Sequence, residues 1–218
     1  GCGECQTCAV MVLCPADHLI VGHRKVVRAI SPSNRLAKQN RTVVTIGLTP
    51  TFPSTAYGYI QHTKESSAHH LNVYRLKAFA EKPHLSLAKR FIDSGDFLWN
   101  SGIFIWRVDV LMSLMKSHLP DLHNHLQKIK SLLDHKKDIT TTWEDIVPQS
   151  IDYGIMEKIA SNAYVVQANF DWNDVGSWNS ACDILPKNKK GNVVRGNGVV
   201  LNGKENFIHS YDHFTAVL

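Results

Sequence analysis

Short apolar runs alternate along this chain with longer stretches in which apolar residues recur at helical spacing. Continuous short apolar runs are typical of strands buried on both faces of a sheet, and they occur at Cys8–Cys14, Thr42–Leu48, Ser101–Trp106 and Ala163–Phe170. Between the first two runs, residues 24–39 have mixed helical character, and we expect Pro32 to kink or divide that helix. A strand, a helix and another strand in this order predict a βαβ unit with a right-handed crossover.

The rest of the chain continues the alternation of strands and helices. A short strand is predicted from Tyr57, and the stretch "NVYRLKAFAEKP" predicts a strand that stops at Pro83. Helices are predicted at Ser86–Gly95, with Ser86 as N-cap and Gly95 as the end, and at residues 109–118, 121–133 and 150–160. From Gly191 the composition shifts to Gly, Asn and Val, which predicts turns and short strands. We therefore predict an α/β domain over residues 1–190 and the start of a C-terminal β element over residues 191–218.

Composition narrows the classes of partner. A chain of 218 residues that is 44% hydrophobic can fill a sizeable core, and its net charge of +5 favours small anionic ligands. The basic residues are scattered rather than clustered with aromatic residues, which argues against nucleic acid. No apolar run approaches the roughly 20 residues that span a bilayer, and the first residues do not resemble a signal peptide. We predict a soluble, cytoplasmic protein that binds neither nucleic acid nor a membrane.

Cysteines crowd the start of the chain. Cys2, Cys5 and Cys8 have the spacing C-x2-C-x2-C, and Cys14 is followed by Pro15. A bacterial iron–sulfur run would place its fourth cysteine three residues after the third, so the match is partial. In the alternative interpretation, Cys14 is a small buried side chain at the end of a strand and the first three belong to a mobile or non-native terminus. Whether Cys2, Cys5 and Cys8 bind a metal stays open.

Two acidic residues follow separate predicted strands and are candidates for a metal site. In an open parallel sheet, ligands bind beyond the carboxyl ends of the strands. Asp17 follows the first strand, and Asp174 lies in "DWNDVGSW" after the strand that ends near Phe170. Magnesium is usually held by one or two carboxylates together with substrate phosphates and water. The alternative is that Asp17 caps a turn or helix and that Asp174 caps a helix that begins near Gly176.

A second set of polar residues is suited to a sugar phosphate. Lys82 offers a positive charge to a phosphate, while Glu81 and Asn100 can hydrogen-bond to sugar hydroxyls. On spacing alone, a Glu-Lys pair before a proline is more often a solvated turn.

Six stretches together resemble one family, the mannose-1-phosphate guanylyltransferases of the bacterial type, which are sugar nucleotidyltransferases. They follow the family's order and cover about residues 10–218: "PADH" (15–18), "PTFPSTAYGYI" (50–60), "FAEKP" (79–83), "FLWNSGIFIW" (97–106), "SIDYGIMEK" (150–158) and "FDWNDVGSW" (170–178). Each motif alone is of weak to moderate specificity, but six in order identify the family. The resemblance implies a Rossmann-like α/β nucleotidyltransferase domain with a mixed, mainly parallel sheet.

The resemblance also implies an activity. In the family, mannose 1-phosphate attacks the α-phosphate of GTP and yields GDP-mannose and pyrophosphate. Asp17 and Asp174 match the residues that hold the catalytic Mg²⁺, and Lys82 matches the lysine that meets the sugar phosphate. Members often form dimers, so the resemblance suggests a homodimer, but the sequence itself leaves both the oligomeric state and the base of the nucleotide open.

The sugar side of the site is implied in the same way. Glu81 and Asn100 match positions that meet the mannose hydroxyls, and Gly58 matches a glycine that lets the backbone approach the sugar. Asp171 is expected to be a supporting acid. Trp172 and Trp178 are expected to pack around Asp174.

The sequence departs from the family at its start. No stretch matches the family's Gly-rich loop GGxGTRLWPLS, which cradles the nucleotide phosphates, and Ala56 replaces a glycine of the family's "TGYGY". We therefore expect a domain truncated at its amino terminus. The sequence leaves open whether the chain is a fragment, the ordered part of a longer protein or a degenerate paralogue. The alternative function is that of a non-catalytic subunit that binds a sugar phosphate or sugar nucleotide and regulates a partner.

Overall fold

The computed structural model describes residues 9–66 and 72–218. Cys2, Cys5 and Cys8, and with them the question of a metal, lie outside the described residues. The chain divides into two compact units: the larger holds Val21–Asp171 and the residues up to Ala16, and the smaller holds Asp17–Ile20 and Trp172–Leu218. The division between the two units does not coincide with the predicted boundary after residue 190. That boundary, at which the C-terminal β element is expected to start, stays a prediction.

Ten strands are formed by the described residues. They are β1 (Val10–Leu13), β2 (Leu19–Val21), β3 (Val43–Leu48), β4 (Tyr59–His62), β5 (Val73–Ala80), β6 (Phe97–Arg107), β7 (Ala163–Ala168), β8 (Asp171–Asn173), β9 (Val193–Val200) and β10 (Phe207–Val217). A six-stranded sheet in the larger unit has the order β1-β6-β3-β7-β5-β4. The short strands β2 and β8 pair with each other, and β9 pairs with β10.

The large sheet is mixed, as predicted, but the expectation that it is mainly parallel is wrong. Among neighbouring strands, only the pair β3 and β7 is parallel, while β6 is antiparallel to β1, β3 and β4, and β5 is antiparallel to β4 and β7. Because β1 and β3 are both antiparallel to β6, they are parallel to each other, and the strands of the predicted βαβ unit have β6 between them. A continuous apolar run indicates that both faces of a strand are buried, but it does not show in which direction the strand runs.

The first strand was predicted to be buried, and the structure corrects this. β1 pairs with β6 alone at the edge of the sheet, and Val12 and Leu13 are exposed. Cys14 follows the strand and is exposed, so it is not the small buried side chain of the alternative interpretation.

Helices in the described residues cover most of the predicted helical stretches. They are α1 (His23–Asn40), α2 (Leu85–Ser94), α3 (Val108–His118), α4 (Pro120–Asp134), α5 (Thr140–Glu144), a π-helical turn (Asp152–Met156), α6 (Glu157–Ile159) and α7 (Trp178–Ile184). None of these helices is long and apolar enough to cross a membrane.

Two local expectations about helices are corrected. Pro32 does not divide α1, which runs through it, and the next residue, Ser33, donates its hydroxyl to the carbonyl of Ala29 at 2.7 Å. The N-cap of α2 is His84 rather than Ser86, because the Nδ1 of His84 accepts a hydrogen bond from the amide of Leu87. The end of α2 at Gly95, with a φ of 72°, is as predicted.

The core of the larger unit lies against the central strands and fixes the segment after α5. Trp106 and Phe104 of β6 are almost fully buried, together with Ile155 and Met156 of the π-helical turn. The predicted helix over residues 150–160 is therefore a π-helical turn followed by a short α-helix, anchored by two apolar side chains.

Substitution of Gly47 in β3 tests how tightly the core around this strand is packed. A Cβ at Gly47 would lie 2.8 Å from Leu98 Cβ and 2.8 Å from Val165 Cγ2, which are on the two flanking strands. We expect Gly47→Ala to lower the free energy of unfolding by about 1–3 kcal/mol because the core is overpacked, as measured by urea denaturation. Gly95→Ala, where a Cβ meets open space, is the control and loses only about 1 kcal/mol from its left-handed φ. Unchanged stability of Gly47→Ala would contradict the packing.

Candidate active site

Three of the predicted sugar-binding residues meet in the larger unit because of strand register. In β4, Tyr59 faces Ala80 of β5 on one side and Trp99 of β6 on the other. One step along these antiparallel pairs, Gly58 stands between Glu81 and Asn100, and the amide of Asn100 donates to the carbonyl of Gly58 at 2.8 Å. The structure thus brings Gly58, Glu81 and Asn100 together from three separate stretches of sequence.

Gly58 is favoured by the space that its neighbours occupy, since its φ is not in the left-handed region. A Cβ there would overlap with the Glu81 carboxylate oxygen Oε2 and would lie 3.3 Å from the Cβ of Asn100. The missing side chain leaves room for the polar ends of Glu81 and Asn100 to approach one surface. Ala56, which replaces a glycine of the family motif, has no positive φ, so the substitution carries no left-handed strain.

Lys82 lies beside this cluster in a strained conformation. Its φ is 46°, although a residue before proline usually has an extended backbone. A non-glycine residue in the left-handed region costs on the order of 1–3 kcal/mol and often marks a functional site. The Lys82 ammonium is 3.5 Å from Glu81 Oε1, and its side chain is 64% exposed, so the charge is available to a ligand in solvent.

The Glu81 carboxyl is in an unfavourable place for a charge. Its side chain is only 14% exposed. Burial raises the pKa of Glu81 above its usual value, the nearby charge of Asp152 raises it further, and Lys82 partly opposes both. Glu81 therefore takes up a proton more readily than a surface glutamate, and in its protonated form it can both donate and accept hydrogen bonds.

Asp152 fixes the side chain of Asn100, and sequence reasoning did not single it out. Asn100 Oδ1 accepts from the amide of Gly102 at 3.1 Å, and its Nδ2 donates to Asp152 Oδ1 at 3.1 Å. The other Asp152 oxygen accepts from the Ser150 hydroxyl at 2.8 Å. The motif "SIDYGIMEK" contains Asp152, but Asp152 and Asn100 are far apart in the sequence. The sequence signal for Asp152 is that it is a carboxylate without an assigned role inside a motif of the family.

The two candidate metal ligands belong to the smaller unit. Asp17 lies just before β2, and Asp174 directly follows β8, the strand that pairs with β2. His18 accepts a hydrogen bond at Nδ1 from the indole of Trp172 at 3.2 Å. An indole nitrogen can only donate, so the neutral imidazole carries its proton on Nε2, which is 4.0 Å from Asp17 Oδ1.

Asp174 is not the helix cap of the alternative interpretation. The N-cap of α7 is Ser177, whose hydroxyl accepts from the amide of Ser180 at 3.1 Å. Asp174 Oδ1 instead accepts from the amide of Gly176 at 3.1 Å, across Val175, whose φ is 52°. A β-branched residue with positive φ is a conformational outlier, so the loop that holds Asp174 is strained.

The two tryptophans near this loop differ in their surroundings. Trp178 does not pack around Asp174 as expected, because it is 71% exposed and its ring lies against Phe207 at 5.7 Å. Trp172 contacts His18, with ring centroids 5.4 Å apart. Asp171 is the exposed first residue of β8, and its supporting role stays a prediction.

The donor chemistry fits magnesium. In the described parts of the chain, no group of three or more His, Cys, Asp or Glu side chains could enclose a metal. Magnesium does not need such a cage, because it keeps several waters and is bound by one or two carboxylates plus substrate phosphates. The carboxylates of Asp17 and Asp174 are hard oxygen donors of this kind, and the side chain of Asp17 is 87% exposed and so open to solvent, but their role as magnesium ligands stays a prediction.

Comparison with known proteins identifies the class. A family model described as nucleotidyl transferase matches residues 4–191. The chain belongs to this family, and the resemblance inferred from its motifs is confirmed.

Particular relatives agree with this assignment. The chain is 34% identical over 215 residues to a mannose-1-phosphate guanylyltransferase of Klebsiella pneumoniae, covering 96% of this chain and 45% of that protein. It is 31% identical over 213 residues to the alginate biosynthesis protein AlgA of Pseudomonas aeruginosa, covering 96% of this chain and 44% of that protein. The chain thus spans somewhat less than half the length of these curated relatives.

A solved structure has the same fold. The crystal structure described as mannose-1-phosphate geranyltransferase from Thermus thermophilus matches with a TM-score of 0.76 and 28% identity. The match covers 95% of this chain and 61% of that one.

The raised pKa of Glu81 predicts how its replacement changes stability with pH. In the folded chain the pKa of Glu81 lies above its usual value of 4.5. Glu81 therefore ionises less readily in the folded chain than in the unfolded chain, and the free energy of unfolding falls as the pH rises from the usual pKa through the folded pKa. We expect Glu81→Gln, which cannot ionise, to gain free energy of unfolding relative to the parent above that range, and the gain to vanish at lower pH. Urea denaturation between about pH 4 and pH 8 measures this.

Glu144→Gln is the control, because Glu144 lies on the exposed surface of α5. It shows how the free energy of unfolding changes with pH when one surface carboxylate is removed. If the Glu81→Gln difference does not grow with pH, the pKa of Glu81 is not raised in the folded chain.

Proposed function

We propose that this chain carries the sugar-phosphate and metal-binding parts of a mannose-1-phosphate guanylyltransferase. This enzyme transfers a guanylyl group from GTP to mannose 1-phosphate and releases pyrophosphate. The observation that carries the proposal is the cluster of Gly58, Glu81 and Asn100 with Lys82 beside it. It combines hydrogen-bonding groups for hydroxyls with one accessible positive charge, which is the chemistry of a sugar phosphate.

Each residue of the cluster has a separate task. Lys82 pairs with the phosphate of mannose 1-phosphate, and Glu81 and Asn100 bind hydroxyls of the sugar ring. Gly58 allows the ring to lie close to the backbone, because any side chain would occupy that space. Together they fix the direction in which the sugar phosphate points, which converts a bimolecular encounter into an aligned attack.

The reaction needs alignment and charge neutralisation more than acid–base chemistry. A phosphate oxygen of mannose 1-phosphate forms a bond to the α-phosphorus of GTP, and the bond from that phosphorus to the bridging oxygen of pyrophosphate breaks. The attacking phosphate is already ionised at neutral pH, so no general base is required. Magnesium, when bound by Asp17 and Asp174, supplies charge neutralisation for the nucleotide phosphates. His18 keeps a structural role, because it orients towards Asp17 through its bond to Trp172.

A non-catalytic regulatory subunit is not favoured. A protein that only binds a sugar phosphate has no need for two carboxylates suited to magnesium, and the relatives are named as transferases. A cytoplasmic location and a homodimer belong to the same proposal and follow from the family resemblance.

Replacement of Asp174 tests the proposed metal site. We expect Asp174→Asn to lower the magnesium-dependent kcat/KM for GDP-mannose formation by about 100-fold or more, because an electrostatic contact to the reacting phosphates is lost. The measurement is pyrophosphate release with GTP and mannose 1-phosphate over a magnesium titration. Asp183→Asn is the matched control, because Asp183 is an exposed acid of the same unit paired with Lys187. Tight binding of mannose 1-phosphate by the parent without any pyrophosphate release would instead support the regulatory subunit.

Replacement of Lys82 tests the phosphate contact. We expect Lys82→Gln to raise the KM for mannose 1-phosphate by about 10- to 100-fold, because a charge-assisted contact to the phosphate is lost, and to leave the KM for GTP nearly unchanged. Lys89→Gln on the exposed side of α2 is the control. An equal rise of both KM values would place Lys82 elsewhere in the reaction.

A further inference from the structure

We propose that Asp152 is a positioning residue for sugar recognition: it holds the Asn100 carboxamide so that its Nδ2 group faces the surface above Gly58. This inference rests on the proposed function of the Gly58, Glu81 and Asn100 cluster and assigns it a fourth member. No motif position had given Asp152 a role.

The hydrogen bonds around Asn100 define one orientation of its amide. The amide proton of Gly102 requires an acceptor, so the atom at 3.1 Å from it is Oδ1. Nδ2 then faces Asp152 Oδ1 at 3.1 Å, and a carboxylate is a pure acceptor that cannot tolerate the flipped amide. The same Nδ2 is 3.6 Å from the position that a Gly58 Cβ would occupy. One N–H bonds to Asp152 while the nitrogen borders the space proposed for the sugar.

The backbone that carries Asp152 is itself rigidly held. Asp152 begins the π-helical turn, and such turns are rare and frequently found at functional sites. Ile155 and Met156 of the turn are fully buried. The amide of Asp152 donates to the Ser150 hydroxyl at 3.2 Å, and the same hydroxyl donates to Asp152 Oδ2. The carboxylate therefore has a fixed place from which it can orient another side chain.

The Asp152 carboxylate is held by hydrogen bonds rather than by an ion pair. Within the described residues, no Lys, Arg or His nitrogen lies within 4.0 Å of the Asp152 carboxylate. Its charge also contributes to the raised pKa of the neighbouring Glu81. The hydrogen bonds from Asn100 Nδ2 and from the Ser150 hydroxyl hold this carboxylate, so its orientation and that of the Asn100 carboxamide are set together.

The test compares Asp152→Ala with Asp152→Asn. Alanine removes the acceptor, whereas asparagine keeps an oxygen for Asn100 and can direct its amide to the Ser150 oxygen. We expect Asp152→Ala to weaken binding of mannose 1-phosphate by about 10-fold or more, and Asp152→Asn to stay within about 3-fold of the parent. Titration calorimetry with mannose 1-phosphate measures this, and inorganic pyrophosphate is the sugar-free probe whose affinity should not change in either variant.

A double-mutant cycle shows whether Asp152 acts through Asn100. In an Asn100→Ala background, Asp152→Ala is expected to cause no further loss of mannose 1-phosphate affinity, because the side chain that it orients is gone. A purely structural role would give additive losses and would weaken pyrophosphate binding as well. If Asp152→Ala does not fold by circular dichroism, Asp152→Ser, whose hydroxyl is one atom shorter, replaces it in the cycle.

The outcomes separate this inference from the proposed function. If the parent binds mannose 1-phosphate and Asp152→Ala binds it equally well, the positioning role is overturned and the proposed function stands. If the parent binds no mannose 1-phosphate, both are overturned. A ligand-free readout is the titration of Glu81 by carbon NMR: removal of the Asp152 charge in Asp152→Asn should lower the pKa of Glu81, and an unchanged pKa would contradict the placement of the Asp152 charge near the Gly58, Glu81 and Asn100 cluster.

Discussion

The register of three antiparallel strands is the constraint on which the candidate sugar site depends. β4 lies between β5 and β6, and its pairing sets Gly58 between Glu81 and Asn100. A shift of one residue in either pairing would turn these side chains to the other face of the sheet, because side chains alternate along a strand. The absence of a side chain at Gly58 then decides how closely the polar groups approach. Apolar residues of β6 and of the π-helical turn belong to the same buried core, which stabilises the elements that carry Asn100 and Asp152.

In both units, residues with a strained backbone or a shifted pKa lie at or beside the residues proposed to act. Lys82 and Val175 have left-handed backbones beside the residues proposed for phosphate and for magnesium. Glu81 has a raised pKa because it is buried next to Asp152. Folding alone gives no reason for these costs, since less strained residues would stabilise the chain more. Lys82 and Glu81 lie in the larger unit and Val175 lies in the smaller one, and in each unit the strain or the raised pKa is physical support for a functional role that does not depend on the family.

Sequence reasoning succeeded where the signal was local or a motif. Buried runs located β3 and β7, the terminal Gly95 located the end of α2, and the ordered motifs identified the family. It failed where direction or distant partners mattered. The predominance of antiparallel pairing follows from β6 and β5, which run opposite to all of their neighbours in the sheet. The exposure of Cys14 follows from the edge position of β1, which no feature of that apolar run reveals.

The sequence by itself determined the class of protein, the approximate elements and most of the polar residues proposed to act. Those properties are encoded in residue type and short-range spacing, which survive without coordinates. The tertiary structure alone decided which of these residues share a surface, that a side chain at Gly58 would meet Glu81 and Asn100, and that Asp152 accepts a hydrogen bond from Asn100 across 52 positions of sequence. Such contacts depend on strand pairing and core packing between distant segments, and no local pattern specifies them.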